Sequence, residues 1–284
     1  MTDLGRVTGD DEVLHTSTRR RRHRWASLGG AIVAAHVVLA FVAPYLPLQD
    51  VSEQHSDAVL QGASSAHWFG TDNLGRDVFA RTLWGGRPSI GLAAASVVLA
   101  ALLGFLIGTF AAIAGGGVDK VMMRVNDVLL AVPSLLVLLL VASFIGREPL
   151  VLIVTLAVMY APPIARLVRT ASLNVLTRDF VVAARLRGAS RWELVVGEVL
   201  PNIRGVVLTE VAMQFTWILL AFSSLSFLGL GASPPTPEWG LMIAESRTYM
   251  SITAWPVAAP VVMLATLVLG VNSLVDRNGV DGAT

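Results

Sequence analysis

The sequence contains no cysteine, which excludes disulfides and thiolate metal sites. Charge is scarce: Asp, Glu, Lys and Arg make up 14% of 284 residues, against roughly 25% in an average soluble domain. Lysine occurs once, as Lys120, beside 20 arginines, which reads as genome composition. No GxxxxGK[ST] phosphate loop is present, so the chain is not its own nucleotidase. There is no HExxH, and His15, His23, His36, His55 and His67 show no ligand spacing. No metal site and no nucleic-acid partner is expected. What is abundant is apolar: 54% of residues, with a mean hydropathy of +0.67. One soluble core of this size would not hide that much apolar surface.

The apolar residues fall in six runs, each near the roughly 20 residues that cross a bilayer as helix. They are predicted at Trp25–Leu46, Pro88–Ala114, Val125–Ile145, Pro149–Val168, Gly205–Leu230 and Trp255–Val275. The expected fold is therefore all-α, a multi-pass membrane protein of six transmembrane helices in a lipid bilayer. Residues 1–24 read as a cytoplasmic tail, 25–46 as the first span and 47–87 as an extracytoplasmic loop. Residues 88–275 form the five-span core, and 276–284 a second cytoplasmic tail. The basic run at 19–24 precedes an apolar stretch too long for a signal peptide, with no small-residue cleavage site after it, so it is expected to be retained.

Basic residues fix the expected orientation. With the N-terminus inside, the cytoplasmic segments carry sixteen of them. The opposite side carries five: Arg76, Arg81, Arg87, Arg147 and Arg247. Both termini are thus expected to be cytoplasmic, in the cell membrane.

Within the spans, Ala100, Gly104, Gly108 and Ala112 recur every four residues, a pattern that lets helix backbones approach closely. Pro133, Pro162, Pro163, Pro256 and Pro260 mark kinks or ends. His36 suits a helix contact. Intramembrane acids, the mark of ion-coupled transporters, are nearly missing. Glu210, with Gln214 nearby, is a candidate for a translocation path, or it faces water or pairs with Arg204. Asp127 has the same two readings.

The most informative segment lies between spans four and five: DFVVAARLRGASRWELVVGEVLPNIR at 179–204. Its first helix sets Phe180, Val181, Ala184 and Leu186 against Arg185, Arg187 and Arg191. Gly188 breaks it, and a second short helix is predicted from Ser190 or Arg191 to Leu200, ended by Pro201. Such an amphipathic elbow either lies on lipid or docks into a groove on a cytosolic partner.

This segment resembles the signature loop of ABC importer permeases: EAA, three residues, Gly, nine residues, then HxLP. Ala183, Ala184, Gly188, Leu200 and Pro201 match in spacing, while Val182 replaces the usual Glu and Glu198 the His of the peptide branch. FGTDNLGRDVFARTLWGGRPSIGL (69–92) and SFLGLGASPPTPEWGLMIAE (226–245) are similar to segments of the C-type dipeptide, oligopeptide and nickel permeases. LGVNSLVDRNG (269–279) resembles that family's C-terminal end. Phe222 stands where the resemblance leads one to expect an acid.

The resemblance implies a type I ABC importer permease taking up di- or oligopeptides by alternating access. It implies a B-type permease partner, two ATPase subunits and an extracytoplasmic substrate-binding protein. It implies no cofactor on this chain, with ATP and Mg held by the ATPases. Residues 179–201 would couple to the ATPase through Val182, Ala183, Ala184, Arg185, Arg187, Gly188, Glu198, Leu200 and Pro201. Asp72, Arg76, Asp77, Pro235, Pro237 and Trp239 would fold the outer loops or meet the binding protein, Trp239 at an interface. Nickel chelates, haem or another solute are the alternative cargo. An ion-coupled secondary transporter and a membrane-anchored receptor are the alternative classes.

Overall fold

A computed structural model describes residues 27–281, with side chains to Val275. The expected tails at 1–24 and 276–284, and Trp25, fall outside the described side chains. All regular structure among the described residues is helical, apart from one bridge between Thr71 and Asp77.

Helix α1 spans Ser27–Tyr45 and closes in a 3₁₀ turn at Pro44. A loop leads to α2, Val78–Ala114. This helix starts ten residues before the predicted span, because Asp77 caps it: its Oδ1 accepts the Ala80 N–H at 2.7 Å. Pro88, predicted to begin the helix, sits inside it. Hydropathy hides the first turns because they carry Arg81 and Arg87.

The predicted third span is not one helix. It consists of α3, Gly116–Ala131, and α4, Ser134–Phe144, bent by 80°. Val132 is extended, as a residue before proline prefers, and Pro133 cannot continue the ladder. Helix α5, Pro149–Leu176, runs through Pro162 and Pro163 and ends eight residues beyond the predicted bound. The proline backbone gains a partner from outside: Asn126 Nδ2 of α3 donates to the Pro162 carbonyl at 3.1 Å.

After α6, Asp179–Leu186, the chain turns into α7, Arg191–Leu194. Pro201 does not end this second helix. A π-helical turn at Val195–Val199 carries it into α8, Leu200–Phe227, with Pro201 in the first turn. There a missing N–H costs least, and the wider π turn absorbs the change of register. Helices α9, Trp239–Ser246, and α10, Trp255–Asp281, are the last described elements.

Among the described residues, five helices are long and apolar enough to cross a membrane, and six spans result if α3 and α4 count as one. The centre is the α2–α5 pair. A Cβ on Gly104 would lie 2.7 Å from Ile164 Cβ, and one on Gly108 2.5 Å from the Ala165 carbonyl. The small-residue stripe therefore faces α5, and only glycine permits this approach. His36 joins α1 to α10, its Nε2 3.1 Å from Thr266 Oγ1.

Candidate functional site

At the α6 end the chain builds a rigid elbow. Gly188, at φ +90°, makes the turn that leaves α6, a conformation L side chains rarely adopt. Ser190 then starts α7 with a reciprocal cap: Glu193 Oε2 accepts the Ser190 N–H at 2.6 Å, and Ser190 Oγ accepts the Glu193 N–H at 3.3 Å. Glu193 is thereby committed to the fold.

Val181 and Ala184 are buried and pack with Leu194, Val199 and Ile203, and with Val168 and Val175 of α5. The predicted apolar stripe is thus split. Phe180 and Leu186 do not join the buried face; Leu186 is 84% exposed. With Val182, Trp192 and Val196 they form an uncovered apolar edge. Val182 and Leu200 are exposed, while Ala183 and Glu198 are half-buried. Arg185, Arg187 and Arg191 are exposed, with no carboxylate in ion-pair reach among the described residues. The elbow thus exposes apolar side chains and unpaired guanidiniums together, on a scaffold packed against α5 and α8.

At the α9 end the charged residues are folded inward. Asp72, Arg76, Asp77 and Arg81 are at most 6% exposed. Asp72 Oδ2 accepts from Arg76 Nε at 2.6 Å and lies 3.6 Å from Arg81 Nε. Glu245 of α9 receives Arg76 Nη2 at 2.7 Å and Arg81 Nη2 at 3.5 Å. Arg81 also donates to the Val51 carbonyl at 2.8 Å, and His67 Nδ1 meets Asp77 Oδ2 at 2.9 Å. These groups lock the loop after α1 to α2 and α9, and burial keeps Asp72, Arg76 and Asp77 from serving as surface contacts. Pro235 stays exposed, whereas Pro237 is buried.

Trp239 is not an interface residue. Fully buried, it donates its indole N–H to the Thr82 carbonyl at 2.9 Å and covers Gly85 and Gly86. Glu238, also fully buried, caps α9 through the Leu241 N–H and accepts from Ser89 Oγ, each at 2.9 Å. Phe222 is buried in the same apolar cluster as Trp239. Sequence reasoning missed Glu238, Glu245 and Ser89, because their partners lie about 150 positions or more away. The acid directly before Trp239, at a helix start, was the one local signal.

Between the two ends, Gln214 Nε2 donates to Glu210 Oε1 at 2.6 Å; Glu210 makes no ion pair with Arg204. Asp119 accepts from Nε and Nη2 of Arg169, and Asp127 meets Arg166 at 2.6 Å, tying α3 to α5.

The sequence pattern described as "Binding-protein-dependent transport system inner membrane component" matches residues 104–278, more than half of the chain. The protein belongs to this family. Such a permease is a multi-pass component of the cell membrane. The chain is 34% identical over 261 residues to the Di/tripeptide transport system permease protein DppC of Pseudomonas aeruginosa, covering 89% of this chain and 86% of the relative. It is 35% identical to the Glutathione transport system permease protein GsiD of Pectobacterium atrosepticum, covering 90% and 85%. Among solved structures it resembles the inward-facing MetNI methionine ABC transporter, with a TM-score of 0.58 at 19% identity, covering 70% of this chain and 94% of the other. The permease therefore has the type I ABC importer fold.

Proposed function

We propose that this permease is the C-type membrane subunit of an ATP-driven importer of di- or oligopeptides. It works beside a B-type permease, two ATPases that hold ATP and Mg, and an extracytoplasmic binding protein. Both termini and the elbow face the cytoplasm; α9 and the loop after α1 face outward. ATP closes the ATPases together, the elbows move with them, and the spans reorient. This chain supplies path and lever, not ATP hydrolysis. Coupling requires that the elbow's contacts differ between the two states.

The observation that carries this reading is the exposure of Leu186, Val182 and Trp192 together with Arg185, Arg187 and Arg191 on an elbow packed against α5. Peptide relatives at 34% identity support the cargo. The cysteine-free chain makes the test clean. A single Leu186→Cys variant, treated in intact cells with a thiol-to-amine cross-linker, is expected to capture an ATPase subunit, and capture is expected to vary with ATP. Labelling by lipid-soluble probes alone, with no ATPase product, would place the elbow on the bilayer instead. Uptake of labelled peptides by a deletion strain complemented with this chain tests the cargo against nickel chelates and haem.

A further inference from the structure

The α9 end also holds a cavity of about 570 Å³ between α2, the start of α5 and the segment after α8. That volume lies within the roughly 300–1,000 Å³ of small-molecule sites. Leu92 and Ile153 give it apolar walls, and Arg87, Arg147 and Glu148 also line it. Arg147 is already engaged, donating to the Gly229 carbonyl at 2.8 Å. Arg87 and Glu148 are not. Both are exposed, and neither side chain has a hydrogen-bond or ion-pair partner among the described residues.

Two opposite charges lining one cavity pair with each other when geometry allows. These stand further apart than the 4.0 Å of an ion pair. Lining one cavity with apolar walls, they suit a molecule that carries an anionic group, an ammonium and an apolar body. A free peptide in its zwitterionic form has that chemistry. We propose that the cavity is an entry subsite for a zwitterionic peptide. Arg87 takes the terminal carboxylate, as a planar fork suited to it. Glu148 takes the terminal ammonium, and Leu92 backs a peptide side chain. The subsite rests on the peptide-importer reading and gives it a place where released cargo is first held. A phosphatidylethanolamine headgroup shares the two charges but lacks the apolar body.

The importer, purified with its partner subunits in phosphatidylcholine nanodiscs without the binding protein, is tested with radiolabelled Leu-Phe, its N-acetyl form and its amide. On the unaltered protein both blocked forms are expected to bind about tenfold more weakly than the free dipeptide, the usual loss for a charged hydrogen bond. Arg87→Gln is expected to lose the discrimination against the amide, and Glu148→Gln that against the N-acetyl form. Equal binding of all three by the unaltered protein overturns the subsite. So does displacement of the dipeptide in phosphatidylethanolamine nanodiscs. If cells take up peptide while both variants bind all three forms as the unaltered protein does, the subsite fails and the importer reading stands. If cells take up no peptide, the importer reading itself fails.

Discussion

The indole nitrogen of Trp239 donates to the backbone carbonyl of Thr82 at 2.9 Å, across 157 positions of sequence. The ring lies over Gly85 and Gly86 and meets His36 edge-on at 6.3 Å. One side chain therefore joins α1, α2 and α9. Trp239→Ala is expected to cost about 3–5 kcal/mol, the usual loss for a buried aromatic. Trp239→Phe keeps most of the packing and forfeits the hydrogen bond, about 1 kcal/mol. Thermal unfolding of the detergent-solubilised protein should rank unaltered above Phe above Ala; an unchanged midpoint for Ala would refute the anchor.

The Arg76–Glu245 pair crosses from the loop to α9, with Arg76 buried and Glu245 half-buried. Each member keeps a second partner, Asp72 for Arg76 and Arg81 for Glu245, so removing one is expected to cost less than the roughly 3–5 kcal/mol of a fully uncompensated buried charge. Arg76→Met and Glu245→Met are each expected to lower the unfolding midpoint, and the double variant less than their sum. Arg81 still needs a carboxylate, and Asp72 at 3.6 Å remains for it. Strict additivity would mean that the two groups do not sense each other.

How much of this was legible beforehand depends on how local each cause is. The spans announced themselves because hydropathy sums over neighbouring residues, and the stripe of Gly104 and Gly108 because its spacing is that of one helix face. The elbow was legible for the same reason: the break at Gly188 and the helix start at Ser190 are local, whereas the Glu193 cap was not foreseen. Three features were not. Helix α2 runs from its Asp77 cap through Arg81, whose neutralisation by Asp72 and Glu245 hydropathy cannot weigh. Pro201 continues a helix because a π turn precedes it. Trp239 is core because two glycines 153 and 154 positions away leave room for its ring.

Gly188 holds φ +90° with open space around it, so a side chain there clashes with no neighbour but strains the backbone. Gly188→Val is expected to cost about 1–3 kcal/mol locally and to reshape the elbow. Membrane insertion, measured by fractionation, should stay normal while peptide uptake falls sharply. Normal uptake by the Val variant would detach the elbow from coupling.

Gly108 and Gly205 make a matched pair for the packing argument. A methyl on Gly108 would meet the Ala165 carbonyl at 2.5 Å, whereas one on Gly205 meets nothing within 4 Å. Gly205→Ala is expected to be neutral or to stabilise by up to about 1 kcal/mol through helix propensity. Gly108→Ala must push α2 from α5 and is expected to destabilise by about 1–3 kcal/mol, the range for overpacking. Equal midpoints for the two variants would show that α2 and α5 have slack.

Glu238 gives the protein a pH dependence with a definite sign. Burial pushes its carboxyl above the ordinary Glu range, against the opposing pull of the Leu241 and Gly240 N–H groups and the Ser89 and Ser226 hydroxyls. The folded chain thus keeps a proton that the unfolded chain releases near pH of about 4.3. Between that value and the folded pKa the unfolded state binds fewer protons, so stability falls as pH rises. Below the ordinary range both states are protonated and the contribution is complete. Glu238→Gln is expected to flatten this slope, at the cost of about 1 kcal/mol for the poorer acceptor set at low pH. Unfolding midpoints measured from about pH 4 to about pH 8 decide it: the unaltered protein should lose stability across the range relative to the Gln variant, and parallel curves would show that Glu238 is ionised throughout.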